Sequence, residues 1–347
     1  MRNYILRRLG QAVLVLLAAY TLSFALLSAL PGDSVNNRIN DPDALYTPEA
    51  AHTLIEFYGL DQPLWRQYLS GIGHALSGDL GYSLSKAIPV TELIADALPK
   101  TLALTGLALA FGLVFAVLIA VAGNYARWGW LRGAAASLPA LFASVPTFVV
   151  GILALQFLSF RLRLIPSVDD GSFTALVAPA VTLGILITAP LAQVLTTSIQ
   201  KTRQLPFVHV LHAKGAGEGF IFRKDVLRNS SLPVLTLLGL ACGELIAGSV
   251  VTEAVFARSG IGQLTVGAVA TQDLPIVQGV VLVAALAYVV VNLIVDFAYP
   301  FIDPRILLDG KVQRVTRVKR TVAAAVPPKR VMPEPGRRGL PADVVMP

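Results

Sequence analysis

The chain has 347 residues, of which 55% are hydrophobic and 14% charged, with 28 lysines and arginines against 21 aspartates and glutamates. Soluble domains carry about a quarter charged residues, so a large soluble enzyme is excluded, and so is a mostly disordered polar chain. The single cysteine, Cys242, excludes an intrachain disulfide and a cysteine-built zinc site.

A helix needs roughly 20 apolar residues to cross about 30 Å of hydrocarbon. Six stretches qualify: Leu9–Leu30, Thr101–Val121, Ala134–Leu158, Phe173–Thr196, Leu232–Val255 and Ile276–Phe301. The expected fold class is an all-α integral membrane protein with six transmembrane helices. The first stretch follows Arg2, Arg7 and Arg8 as a signal peptide would, but its apolar run exceeds the roughly 7–15 residues of a signal core, so residues 1–30 read as a retained span. Residues 31–99 are too polar to cross. Leu54, Ile55 and Tyr58, then Leu64, Trp65, Tyr68, Leu69 and Ile72, recur at helical spacing there, which predicts an acidic, helical segment between spans 1 and 2. It reads either as a loop capping the bundle or as a docking surface. Residues 100–310 form the core with a long loop at 200–231, and the proline-rich basic tail, 311–347, has no periodicity and reads as disordered.

The basic residues set an orientation. Of the 28, 21 fall on the side of the N-terminus if the six spans alternate, which places both termini in the cytosol and the segment 31–99 outside. The positive charge is then a topology signal with some contact to anionic lipid, and nucleic acid is not an expected partner.

No phosphate loop of the GxxxxGK[ST] type occurs, so no ATP site of that kind is expected in the chain. No nucleophile–base pair stands out, and no catalytic residue is assigned. His209 and His212 are three residues apart but lack a third ligand, so no metal site is expected. Glu244 and Asp296 fall inside spans, where a carboxylate costs roughly 2.5–3.5 kcal/mol. Asp296 shares a helical face with Asn292 and Tyr288. Glu244, Asn292 and Asp296 are therefore candidates either for the transport pathway or for polar contacts within the bundle. Gly239 and Gly243, continued by Ala247, predict a close helix–helix seam. Pro139, Pro146, Pro179 and Pro190 predict kinks.

The inner loop is the most informative segment. Phe207, Val210 and Leu211 share a helical face, the run from Lys214 to Gly217 breaks the chain, and a second run carries Phe220, Ile221, Val226 and Leu227 with Arg223, Lys224 and Arg228. On physical grounds this is either a short rod for a partner's groove or an amphipathic loop on lipid.

The AKG run at 213–215 followed by LRNSSLP at 227–233 resembles the coupling loop of ABC-importer permeases of the dipeptide, oligopeptide and nickel type. LPGD at 30–33, YGLDQPLWRQYL at 58–69, SGDLGYSL at 77–84, SVPTFVVG at 144–151, GSVVTEAVFARSGIGQL at 248–264, DLPIVQGVVLV at 273–283 and VNLIVDFAYPFIDPRI at 291–306 agree with it in order. The resemblance runs to about Leu308. It implies a permease subunit of the bacterial inner membrane that forms half of a pathway for peptides or a related solute such as a nickel chelate. The implied partners are a second similar permease, two ATPase subunits carrying ATP and Mg, and an extracytoplasmic binding protein. Phe207, His209, His212, Ala213, Lys214, Gly215 and Arg223 would contact an ATPase; Tyr58, Asp61, Trp65 and Asp79 would receive the binding protein. The sequence departs from the family at His209, Val210, Leu211 and His212, where Arg-Thr-Ala-Arg is usual, and at Asp225, where histidine is usual. The alternative is an ion-driven secondary carrier, which should show inverted repeats and paired intramembrane charges.

Overall fold

The computed structural model of the chain describes residues 2–28, 62–166 and 168–302, with single positions 49, 52 and 56. The tail expected at 311–347, and Tyr58 and Asp61, lie outside the described residues.

The regular secondary structure of the described residues is helical, apart from one isolated antiparallel bridge, Tyr82 to Pro89. Its elements are α1 (Arg2–Ser28), α2 (Leu64–Leu76), α3 (Val90–Tyr125), α4 (Gly129–Ser144), α5 (Thr147–Ala154), α6 (Phe173–Arg203), α7 (Pro206–Ala213), α8 (Glu218–Ile221), α9 (Leu227–Val255), α10 (Ile261–Ala270) and α11 (Leu274–Ile302). The helix widens to π geometry at Leu155–Arg161 after α5 and at Phe222–Val226 between α8 and α9. Among the described residues five helices are long and apolar enough to cross a membrane, and the bent pair α4–α5 makes a sixth if it is counted as one span.

Two departures from the expected spans have clear causes. The third is not one straight helix: α4 and the α5 segment are bent by 98° at the break. Proline disfavours helical geometry at the residue before it, and Val145 accordingly sits extended (φ −104°, ψ 121°) ahead of Pro146. Pro139, Pro179 and Pro190 instead lie inside continuous helices. The second span starts early. α3 begins at Val90, so Glu92, Asp96 and Lys100 occupy its first turns, where Lys100 and Asp96 pair at 2.8 Å.

α6 is the central helix, with most of its length buried. It crosses α3 where two glycines meet. A side chain at Gly184 would lie 2.8 Å from the Ala108 carbonyl oxygen, and one at Gly112 would lie 2.9 Å from that of Gly184. Thr188 in the same contact donates its hydroxyl to the Gly184 carbonyl at 2.8 Å. Small residues let backbones approach and give dispersion contacts where lipid offers no hydrophobic driving force. The expected seam of α9 forms likewise against α11: Gly239 faces Asn292 and Gly243 faces the Tyr288 ring, whereas Ala247 is exposed outside it.

Candidate functional site

The loop between α6 and α9 begins at Leu205, extended ahead of Pro206, which takes the first position of α7, where its missing N–H is no loss. α7 ends in a Schellman motif. The Gly215 N–H donates to the His212 carbonyl at 2.9 Å, and the Ala216 N–H to the Leu211 carbonyl at 3.1 Å. Gly215 supplies the left-handed turn with φ +81°, and nothing lies within 4 Å of where its Cβ would be. The glycine of the AKG run is thus required by conformation and not by space. His212 and Glu218 pair across this turn at 3.6 Å.

The loop is fixed to the bundle from within. Val208, Ile221 and Val226 are buried in the main core, and Leu211, Ala216 and Phe222 pack against it. Tyr125, ending α3, stacks edge-on with Phe222 at 5.0 Å and holds the Arg203 guanidinium 4.6 Å from its ring centre. Arg203 also donates to the Asn124 carbonyl at 3.1 Å, and the buried Ser230 hydroxyl donates to that of Thr202 at 3.1 Å. These contacts join the loop to the ends of α3, α6 and α9.

Its outward side is different. Phe207, His209, Val210, His212, Ala213, Lys214, Gly215, Phe220, Arg223 and Lys224 are all exposed. Every residue assigned from the sequence to ATPase contact is exposed on this loop. It combines apolar side chains, with Val210 and Phe220 half exposed, and cations. Between Thr197 and Ser231 six basic residues face two acidic ones. Lys224 sits 5.1 Å from the Phe220 ring, and Arg223 donates to the Gly219 carbonyl at 3.3 Å. Asp225, at the usual histidine position, is half-buried, and its carbonyl accepts from Asn229 at 2.8 Å.

The other sequence candidates do not join this surface. Glu244 is exposed at the middle of α9, on its uncovered face with Leu240, Ala247, Val251 and Ala254. Asn292 is half-buried against Gly239 and donates to the Tyr288 carbonyl at 2.8 Å, a contact within the bundle. Asp296 belongs to α11, but its side chain is outside the description. Trp65 is exposed on the first turn of α2. Asp79 accepts the Gly81 N–H at 3.0 Å and pairs with His74 at 3.5 Å, holding the turn after α2.

Sequence reasoning passed over Glu253. It is 1% exposed and accepts from the Thr101 hydroxyl at 2.6 Å, the Gly262 N–H at 2.7 Å and the Gln263 N–H at 3.3 Å. Thr101 in turn accepts the Ile261 N–H at 2.8 Å. A carboxylate thus joins α3 and α9 to the N-terminus of α10, where free N–H groups and the helix dipole favour negative charge. Nearby, Arg258 and Asp169 form a buried pair at 3.2 Å, and Asp170 is held below the usual carboxylate range by hydrogen bonds from Ser172. Asp273, fully buried, receives the Ser83 hydroxyl at 2.6 Å, the Ser85 N–H at 2.9 Å and the Ser85 hydroxyl at 2.8 Å. The signal for Glu253 was a carboxylate in the last apolar turn followed by Gly-Ile-Gly. Asp273 carried no comparable sign.

Comparison with known proteins places this geometry in context. Residues 110–308 match the family described as the inner membrane component of binding-protein-dependent transport systems, and residues 1–105 match its N-terminal companion. The dipeptide transport system permease protein DppB of Lactococcus lactis subsp. cremoris is 33% identical over 309 residues, 89% of this chain and 100% of that protein. The glutathione transport system permease protein GsiC of Salmonella choleraesuis is 34% identical over 306 residues, 88% of this chain and 99% of that protein. Among solved structures, a chain of the inward-facing MetNI methionine ABC transporter superposes with a TM-score of 0.47 at 19% identity, over 59% of this chain and 95% of that one.

Proposed function

Because the chain belongs to the family of inner membrane components of binding-protein-dependent transport systems, and is a multi-pass protein of that membrane, we propose that it is a permease subunit forming half of the translocation pathway of an ABC importer for short peptides. Dipeptides and glutathione, the cargo in the relatives' names, are both short peptides, which favours this class over metal chelates. The ion-driven carrier has no support among these relatives. Two cytosolic ATPase subunits, loaded with ATP and Mg, drive the cycle; this chain performs no hydrolysis of its own. A second permease completes the pathway, and an extracytoplasmic binding protein delivers cargo to the side bearing residues 31–99, with Tyr58, Asp61 and Asp79 among its contacts. Both termini lie in the cytosol.

The observation that carries this reading is the loop between α6 and α9, buried on one side and exposed as an apolar, cationic surface on the other. Such a surface suits a partner groove with an apolar floor and an acidic rim. Closure of the ATPases around ATP displaces the loop. Because Tyr125, Arg203 and Phe222 clamp it to the ends of α3 and α6, the displacement reaches the spans and changes the side to which the pathway opens. Glu244, on the uncovered face of α9, lines that pathway.

Gly215→Val tests the coupling in the assembled transporter. The protein should reach the membrane at normal level, with peptide uptake and cargo-stimulated ATP hydrolysis lost, whereas Gly215→Asn, which tolerates the left-handed turn, retains a measurable share of both. Normal uptake by the valine variant overturns the coupling role.

A further inference from the structure

α2 has a broad apolar arc but buries none of its residues. Tyr68, Gly71, Ile72 and Ala75 are half-buried, while Trp65, Leu69 and Leu76, along one edge of the arc, are 59%, 58% and 84% exposed. Arg66 and Ser70 follow on the polar side, with the Arg66 guanidinium 5.2 Å from the Trp65 ring centre.

The depth of this helix is fixed by α1. The Tyr68 hydroxyl shares a hydrogen bond of 2.8 Å with that of Thr21, and its ring stacks edge-on with Phe24 at 5.4 Å and tilted on Tyr20 at 5.5 Å. The Tyr20 hydroxyl lies against Gly71, where even a methyl group would collide. Tyr20, Thr21 and Phe24 are not beyond the membrane-crossing run but within it, since that run extends from Leu6 to Leu26. At about 1.5 Å per residue, these attachment points lie roughly 3–9 Å short of its end. The solvent at that depth is the boundary of headgroups and acyl chains, where tryptophan concentrates and arginine reaches out to phosphate.

We propose that α2 is an interfacial membrane helix, with its Trp65–Leu69–Leu76 edge sunk among the lipids and Arg66 directed at their phosphates. This assigns Trp65 to lipid in place of a binding protein. The inference requires only that α1 cross the membrane, so it stands or falls separately from the transport reading.

The chain has three tryptophans, Trp65, Trp128 and Trp130. Trp128→Phe with Trp130→Phe leaves Trp65 as the sole emitter in the full-length chain, reconstituted in vesicles of phosphatidylcholine and phosphatidylglycerol. Lipids brominated near the headgroup end of the acyl chains should remove roughly half its emission or more, while aqueous iodide has little effect. Strong iodide quenching without bromine quenching overturns the proposal, and so does iodide quenching relieved only by added binding protein, which assigns the edge to protein docking. If the double variant fails to fold, Leu69→Cys in a Cys242→Ala background, labelled with an environment-sensitive fluorophore, carries the same two outcomes.

Discussion

The loops at 204–226 and 256–273 close opposite ends of α9, and they use charge and strain differently. At the first, Lys214, Arg223 and Lys224 are exposed, and the left-handed turn is made by glycine, at no steric cost. At the second, Glu253 and Asp273 are turned inward: Glu253 accepts from Thr101, Gly262 and Gln263, and Asp273 accepts three hydrogen bonds on Oδ2 while its buried Oδ1 has no partner among the described residues. The loops of that end also hold four non-glycine residues at positive φ: Ala87, Arg163, Ala257 and Gln272. Such strain persists only where the surroundings over-determine it. One end presents an exposed surface, the other holds its own shape.

Disrupting the inward-turned end should have the largest effect. Glu253→Ala strands the Thr101 hydroxyl and the Gly262 and Gln263 N–H groups, costing about 3 kcal/mol or more in stability. Thermal unfolding in detergent and faster proteolysis of 256–273 would register it; an unchanged melting temperature would show that the buried carboxylate is dispensable. At the opposite end, Gly215→Val costs about 1–2 kcal/mol of local conformational energy. It should abolish uptake with little change in melting temperature, and matching losses of both would erase the contrast between the ends. Phe220→Ala should weaken retention of ATPase subunits by about 1–2 kcal/mol, roughly tenfold, in pull-downs from membranes, without affecting fold. Gln272→Gly relieves the left-handed strain and should raise stability by about 1 kcal/mol or less, a change of opposite sign. Glu244→Gln is the smallest in stability terms, within about 0.5 kcal/mol, because Glu244 is exposed. Its readout is peptide uptake, and wild-type transport would remove Glu244 from the pathway.

The sequence made most of the spans legible because apolar length is a direct consequence of membrane thickness. The AKG loop was legible because left-handed turns and amphipathic periodicity leave marks in a dozen residues. Three features were not. Pro146 breaks its helix while Pro139, Pro179 and Pro190 lie inside continuous helices, a difference that the residue type alone does not encode. The start of α3 at Val90 was masked by Glu92, Asp96 and Lys100, since a hydropathy window cannot see a helix projecting from the bilayer. Glu253 and Asp273 find the Thr101 and Ser83 hydroxyls across 152 and 190 residues respectively, and those pairings local pattern does not encode.

The crossing of α3 and α6 has a mechanical consequence. At Gly112 and Gly184 the two backbones come together, and the Ile187 side chain fills the space over Gly112, so the helices cannot slide past one another without collision. Gly112 lies thirteen residues, about 20 Å, from Tyr125. A rotation of α3 against α6 about this contact would carry the Tyr125 and Arg203 ends one way and the opposite ends of the two helices the other.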